Sequence, residues 1–181
     1  MVHLNGVPGI GKSTLARRYA DDHPSTLDCD IDVLRSLVGG WRDDFGLAGA
    51  LVRPAALAMI TAYLREGQDV VLPQMILLPE ELGRFEGAAL AADASFVEVL
   101  LRTDREAVAA RFGRRGADGV DAAWHDHVRG VVEEMGGEAM LLDCHDRLEA
   151  LAADRPGAVV VDSREGAVDE TYAALLHALG G

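Results

Sequence analysis

Hydrophobic and polar positions along this chain follow two alternating rhythms. Short apolar runs recur at 1–5, 69–73 (DVVLP), 95–101 (SFVEVLL) and 158–161 (AVVV), and a further short strand is expected at 26–30. Runs of this length, rich in β-branched residues, predict strands buried on both faces. Between them the spacing changes to three and four. In 12–21, Leu15 falls with Tyr19 and Ala16 with Ala20, which predicts a helix. More helices are expected at 31–37, ended by Gly39-Gly40, and at 54–66, opened by Pro54 and closed at Gly67. The remaining helices are placed at 79–92, 104–114 (N-cap Thr103 or Asp104), 121–135, 138–154 and 168–179. Residues 41–50 read as loop or irregular helix, and 116–119 as a break. Strands alternating with helices predict an α/β fold, a parallel sheet covered by helices on both faces.

With 181 residues, of which 49% are hydrophobic, the chain suits one domain, 1–181, with a sizeable core. The stretch 111–137 adds helix before the last strand and is expected to form a lid. Charge changes the picture more. Seventeen Lys+Arg against thirty Asp+Glu leave a net charge of −13. A surface of that sign repels nucleic acid and anionic lipid, so neither is an expected partner. No apolar run is expected to span a bilayer, and no signal peptide is recognised. Cys29 and Cys144 form no metal or disulfide pattern and are expected to be reduced, which points to the cytoplasm.

The chemistry centres on Gly6-Val7-Pro8-Gly9-Ile10-Gly11-Lys12-Ser13, which matches G-x-x-x-x-G-K-[ST] at every fixed position. An apolar strand precedes it and a helix follows, as a phosphate-binding P-loop requires. The loop N–H groups form an anion nest at a helix N-terminus, Lys12 reaches the β- and γ-phosphates, and Ser13 offers a hydroxyl to Mg²⁺. Residues 6–13, with Thr14, are the expected ATP-binding set. Asp28, Asp30 and Asp32 alternate at the end of the second strand, where open parallel sheets hold ligands. Either Asp30 or Asp32 can hold Mg²⁺, deprotonate a hydroxyl or cap the next helix. Arg111, Arg114 and Arg115 are spaced to share a helix face and suit developing phosphoryl charge. His125 and His127 are two apart on a helix and are not expected to share a metal. His3 reads as a core histidine, and Trp41 and Phe45 as core or pocket residues.

NGVPGIGKST, then DIDVLR, then an Arg-rich helix resemble the small P-loop kinases: gluconate kinase, shikimate kinase, chloramphenicol phosphotransferase and adenylate-kinase-like enzymes. The resemblance implies a doubly wound five-stranded parallel sheet, an ATP site and a helical lid. It implies phosphoryl transfer from ATP to a hydroxyl of a small molecule. Asp32 and Arg35 match the D-x-x-R pattern of base and acceptor ligand, and Asp30 the metal-side acid. Arg111 and Arg115 match catalytic lid arginines, with Arg114 on the nucleotide. Asp162-Ser163-Arg164 stands where these kinases hold adenine, which makes Arg164 a nucleotide ligand. The chain departs from many relatives after the third strand, where Pro73-Gln74 replaces an acid. Gln74 can bind an acceptor but cannot act as a base. The alternatives are a nucleotide-dependent switch or ATPase without an acceptor, and a kinase like the zeta toxins.

Overall fold

The computed structural model describes residues 1–116 and 122–180. Five strands form one parallel sheet: β1 Val2–Asn5, β2 Leu27–Asp28, β3 Val70–Leu72, β4 Val97–Arg102 and β5 Val159–Asp162, in the order β2-β3-β1-β4-β5. This is the expected doubly wound sheet. Successive side chains point to opposite faces, and each face has its own core. Val2, Leu4, Val71, Val99 and Leu101 pack on one side with Leu15, Phe112, Leu148 and Leu175. Val70 and Leu72 pack on the other with Ile31, Ile60, Leu82 and Phe85. Burying each such side chain contributes roughly 1.5–3 kcal/mol.

The helices are α1 Lys12–Asp22, α2 Ile31–Ser36, α3 Phe45–Arg65, α4 Pro79–Leu90, α5 Val108–Gly113, α6 Ala122–Glu134, α7 Gly137–Ala153 and α8 Val168–Ala178. Two boundaries differ from expectation for a local reason. β2 is short because Asp30 leaves the ladder to cap α2, its carboxylate accepting from the Asp32 N–H at 2.9 Å. The segment 104–114 opens with a 3-10 turn, Arg105–Ala107, before α5. The break placed at 116–119 and the helix start at 121 fall largely outside the described residues.

The largest difference is α3, which begins nine residues before Pro54. Asp44 caps it by accepting from Leu47 N–H at 2.8 Å. A stripe spaced by four (Ala48, Val52, Ala56, Ile60 and Leu64) is buried. Pro54 is exposed on the far side. Proline in a helix interior costs about 3 kcal/mol, which burial of that stripe outweighs. Reading Pro54 as a helix start therefore left the first nine residues out of one long helix. The intact helix is also long and apolar enough, with a mean hydropathy of 1.6, to cross a membrane by length and composition alone, contrary to expectation. Its stripe is instead committed to the core around Phe85.

If Asp44 caps α3, Asp44→Ala should lower stability by about 1 kcal/mol in urea unfolding. It should also speed amide exchange over 47–52 while leaving 58–64 protected. Unchanged exchange at 47–52 would place the helix start back at Pro54.

Candidate functional site

The sheet's C-terminal edge brings together the loop after β1, the start of α2, the loop after β3 and the end of β5. Residues 6–11 join β1 to α1, and Gly6, Gly9 and Gly11 all have positive φ. At Gly9 the reason is double: φ is +84°, and a Cβ would lie 2.9 Å from Cα of Phe112. The Lys12 Nζ folds over the loop and donates to Gly6 O at 2.8 Å and Val7 O at 3.0 Å. Ser13 and Thr14 are exposed at the start of α1.

The loop is held from both sides. The Asn5 side chain accepts from Gly6 N–H and Ile76 N–H, both at 3.0 Å, and donates to Ile76 O at 2.9 Å. Buried His3 donates from Nε2 to Gln74 O at 2.8 Å. Burial pushes its pKa down to about 4, so the ring stays neutral. Both side chains thus tie the 74–76 loop to β1. Opposite, the Ser163 hydroxyl and Arg111 Nη2 both donate to Ile10 O at 3.0 Å.

The three arginines do not share a helix face, because α5 ends at Gly113. Arg111 is buried and spends both Nη groups on Ile10, Ser163 and Thr103. These bonds brace the loop, and Arg111 also lines the cavity beside it, as do Arg114 and Arg115. Arg114 pairs with exposed Glu165. Arg115 is partly buried and its charge acts on Asp32 and Asp30. Beside the P-loop lies a cavity lined by Gly11, Thr14, Arg111, Arg114, Arg164 and Glu165 among others. Ser163 also lines it, whereas Asp162 does not.

On the acid side, Asp32 accepts from Arg35 Nη1 at 2.9 Å. Desolvation raises the Asp32 pKa, reinforced by Asp30 and opposed by Arg35, Arg115 and Lys12. Asp28, half-buried, is pushed up to about 6 by burial and by Asp30. Buried Gln74 keeps its side chain near its own loop, 3.4 Å from Met75 O. Above Asp32, Phe45 lies under the Arg35 guanidinium at 3.9 Å. Trp124 and His127 of α6 then pack against Trp41 and Phe45 in tilted and edge-on pairs, with ring centroids 4.9–5.8 Å apart. The sequence suggested Trp41 and Phe45 for a pocket or core. It missed their partners on α6, because contacts across eighty residues leave no local spacing. It also passed over Asn5 and Glu165, although an Asn directly before the first P-loop glycine was a visible signal.

A family profile described as an AAA domain matches residues 1–135. The chain belongs to that family. This AAA domain is also similar in fold to two solved structures. One is a gluconokinase from Sinorhizobium meliloti 1021, with 16% identity, TM-score 0.62, and coverage of 99% of this chain and 90% of that one. The other, from Chloroflexus aurantiacus j-10-fl and described as a kinase, gives 15% identity, TM-score 0.64 and coverage of 99% and 94%. The fold is therefore that of the P-loop kinases, as the resemblance implied. No curated protein matches the sequence.

Electrostatics in the AAA domain's P-loop lead to a pH prediction. Desolvation, reinforced by Arg115, lowers the Lys12 pKa to about 8 from 10.5, against the pull of Asp32 and Asp30. Between those values the unfolded chain keeps a proton that the folded protein has released, so this group makes stability rise with pH from about 8 to 10.5. The urea midpoint of wild type relative to Lys12→Met should therefore climb over that range. A flat or falling difference would mean that Lys12 stays protonated in the free loop.

Proposed function

We propose that this protein is an ATP-dependent phosphotransferase that moves the γ-phosphoryl group to a hydroxyl of a small molecule in the cytoplasm. One observation carries the reading. The P-loop cation Lys12 at the start of α1, the acid Asp32 in the first turn of α2 and the cation Arg115 just after α5 gather at the sheet's C-terminal edge, where the charges of Lys12 and Arg115 both act on Asp32. That grouping supplies phosphate binding, a proton acceptor and charge neutralisation together.

In this reading, residues 6–14 cradle the phosphates, with Lys12 turning from the Gly6 and Val7 carbonyls to the β- and γ-oxygens. Arg164 and Arg114 border the nucleoside. No cluster of three or more His, Cys, Asp or Glu able to hold a metal occurs among the described residues. Magnesium suits such a site, since it takes one or two protein oxygens and completes its shell with phosphate and water. Ser13 Oγ and the Asp30 oxygen not spent on capping α2 would hold it. When bound it neutralises charge between the β- and γ-phosphates. Asp32, with its raised pKa, orients the acceptor hydroxyl and takes its proton; Arg35 and Gln74 hold the acceptor. Arg115 faces the transferring group, and Arg111 acts through the loop by holding the Ile10 carbonyl.

The test is ADP release against a panel of sugar acids, nucleosides and antibiotics. At least one acceptor should drive turnover. Lys12→Ala should abolish it. Asp32→Asn should lower kcat by roughly 10²-fold or more with ATP affinity kept, the scale of losing a general base. ADP release equal with and without every acceptor would favour an acceptor-free nucleotide switch.

The lid in this proposal lies within 111–137 and is carried by α6. Trp41 and Trp124 are the chain's two tryptophans and are in contact, Trp124 being on α6. Nucleotide binding should change their emission in wild type and much less in Trp124→Phe. No change at saturating nucleotide would mean that α6 does not move.

A further inference from the structure

Arg35 is 6% exposed, yet among the described residues its Nε has no hydrogen-bond partner. One Nη reaches Asp32, and its face rests on Phe45. The remaining edge lies against Gly49, in the second turn of α3. A Cβ at position 49 would stand 2.8 Å from Arg35 Nη2, 3.1 Å from Nε and 3.3 Å from Cζ. Gly49 does not have positive φ, so the backbone there does not call for glycine. Glycine is a poor helix former, whereas alanine is the best. The backbone alone would thus favour alanine at 49; the guanidinium would have to move to make room for it.

We propose that Gly49 is a positioning residue for the transfer reaction: its missing side chain makes the notch that seats Arg35 so that its Nη1 reaches Asp32. The proposal rests on the reading of this crevice as the acceptor site. A methyl group at 49 displaces the guanidinium from α3 and disturbs the Nη1 bond that orients Asp32. Arginine's planar donors lose their geometry with small displacements, so acceptor handling suffers while the nucleotide side, built on β1 and β5, does not.

Gly49→Ala tests this with two readouts, one of which needs no substrate. The first is the ¹⁵Nε–H resonance of Arg35, assigned by its loss in Arg35→Lys. In Gly49→Ala it should move towards the position of solvent-exposed arginines, with Tm equal to or above wild type. The second is kinetics. The kcat/KM for the acceptor should fall roughly 10- to 100-fold, the scale of misplacing a binding group by about an ångström, with the KM for ATP unchanged. In an Arg35→Ala background, Gly49→Ala should cost nothing further, since the group it displaces is gone. An unmoved Arg35 resonance overturns the proposal outright. A moved resonance with acceptor kcat/KM intact, or a further loss in the Arg35→Ala background, overturns the positioning role. If the resonance moves and no acceptor is turned over even by wild type, the kinase reading fails while the Gly49–Arg35 seat stands.

Discussion

The Ile10 carbonyl is the point on which the site depends. A P-loop must present its N–H groups inward, which leaves its carbonyls pointing back into the protein and in need of donors. Ile10 O receives two, from the Ser163 hydroxyl at the end of β5 and from Arg111 of α5. Ile10 and Ser163 are buried, so these bonds form away from competing water. Lys12 satisfies Gly6 and Val7 carbonyls in the same way. The loop's shape is thus held by the outer elements as well as by its glycines. The edge strand β5 and the short helix α5 matter to the site though they stand outside the motif.

Much of this architecture was legible because it is local. Apolar runs set the strands, and the motif set the β1–α1 turn with its glycines in the conformations the spacing demanded. What escaped was long-range. Pro54 looked like a helix start because the rule for proline is local, whereas the stripe from Ala48 to Leu64 that overrides it is fixed by packing on β3 and α4. The arginines at 111, 114 and 115 looked like one set, since their spacing suits one face. Their separate engagements depend on where α5 ends and on Ser163 and Glu165, some fifty residues away. The pairing of Trp41 with Trp124 was invisible for the same reason.

The overall charge and the crevice make opposite demands. A chain with net charge −13 disfavours polyphosphates at long range. Around the P-loop the balance is local: Lys12, Arg35 and Arg115 stand among Asp28, Asp30 and Asp32, and neighbouring charges act on the protonation of Lys12, Asp28 and Asp32. The high-pKa acid and the low-pKa lysine arise from one cause, the loss of water between the α2 start and the loop after β1.

The strut formed by His3 and Asn5 has a different consequence. Both side chains grip the 74–76 loop through main-chain groups: the Gln74 carbonyl, the Ile76 carbonyl and the Ile76 N–H. Neither requires any particular side chain at 74 or 75. The loop that faces the acid side of the crevice is therefore hung by its backbone, and its side chains can be exchanged without letting go of the P-loop. Such a mounting separates the part of the protein that must stay constant, the phosphate cradle, from the part that can be rewritten. It leaves one short loop beside the P-loop free to change its side chains while its backbone stays in place.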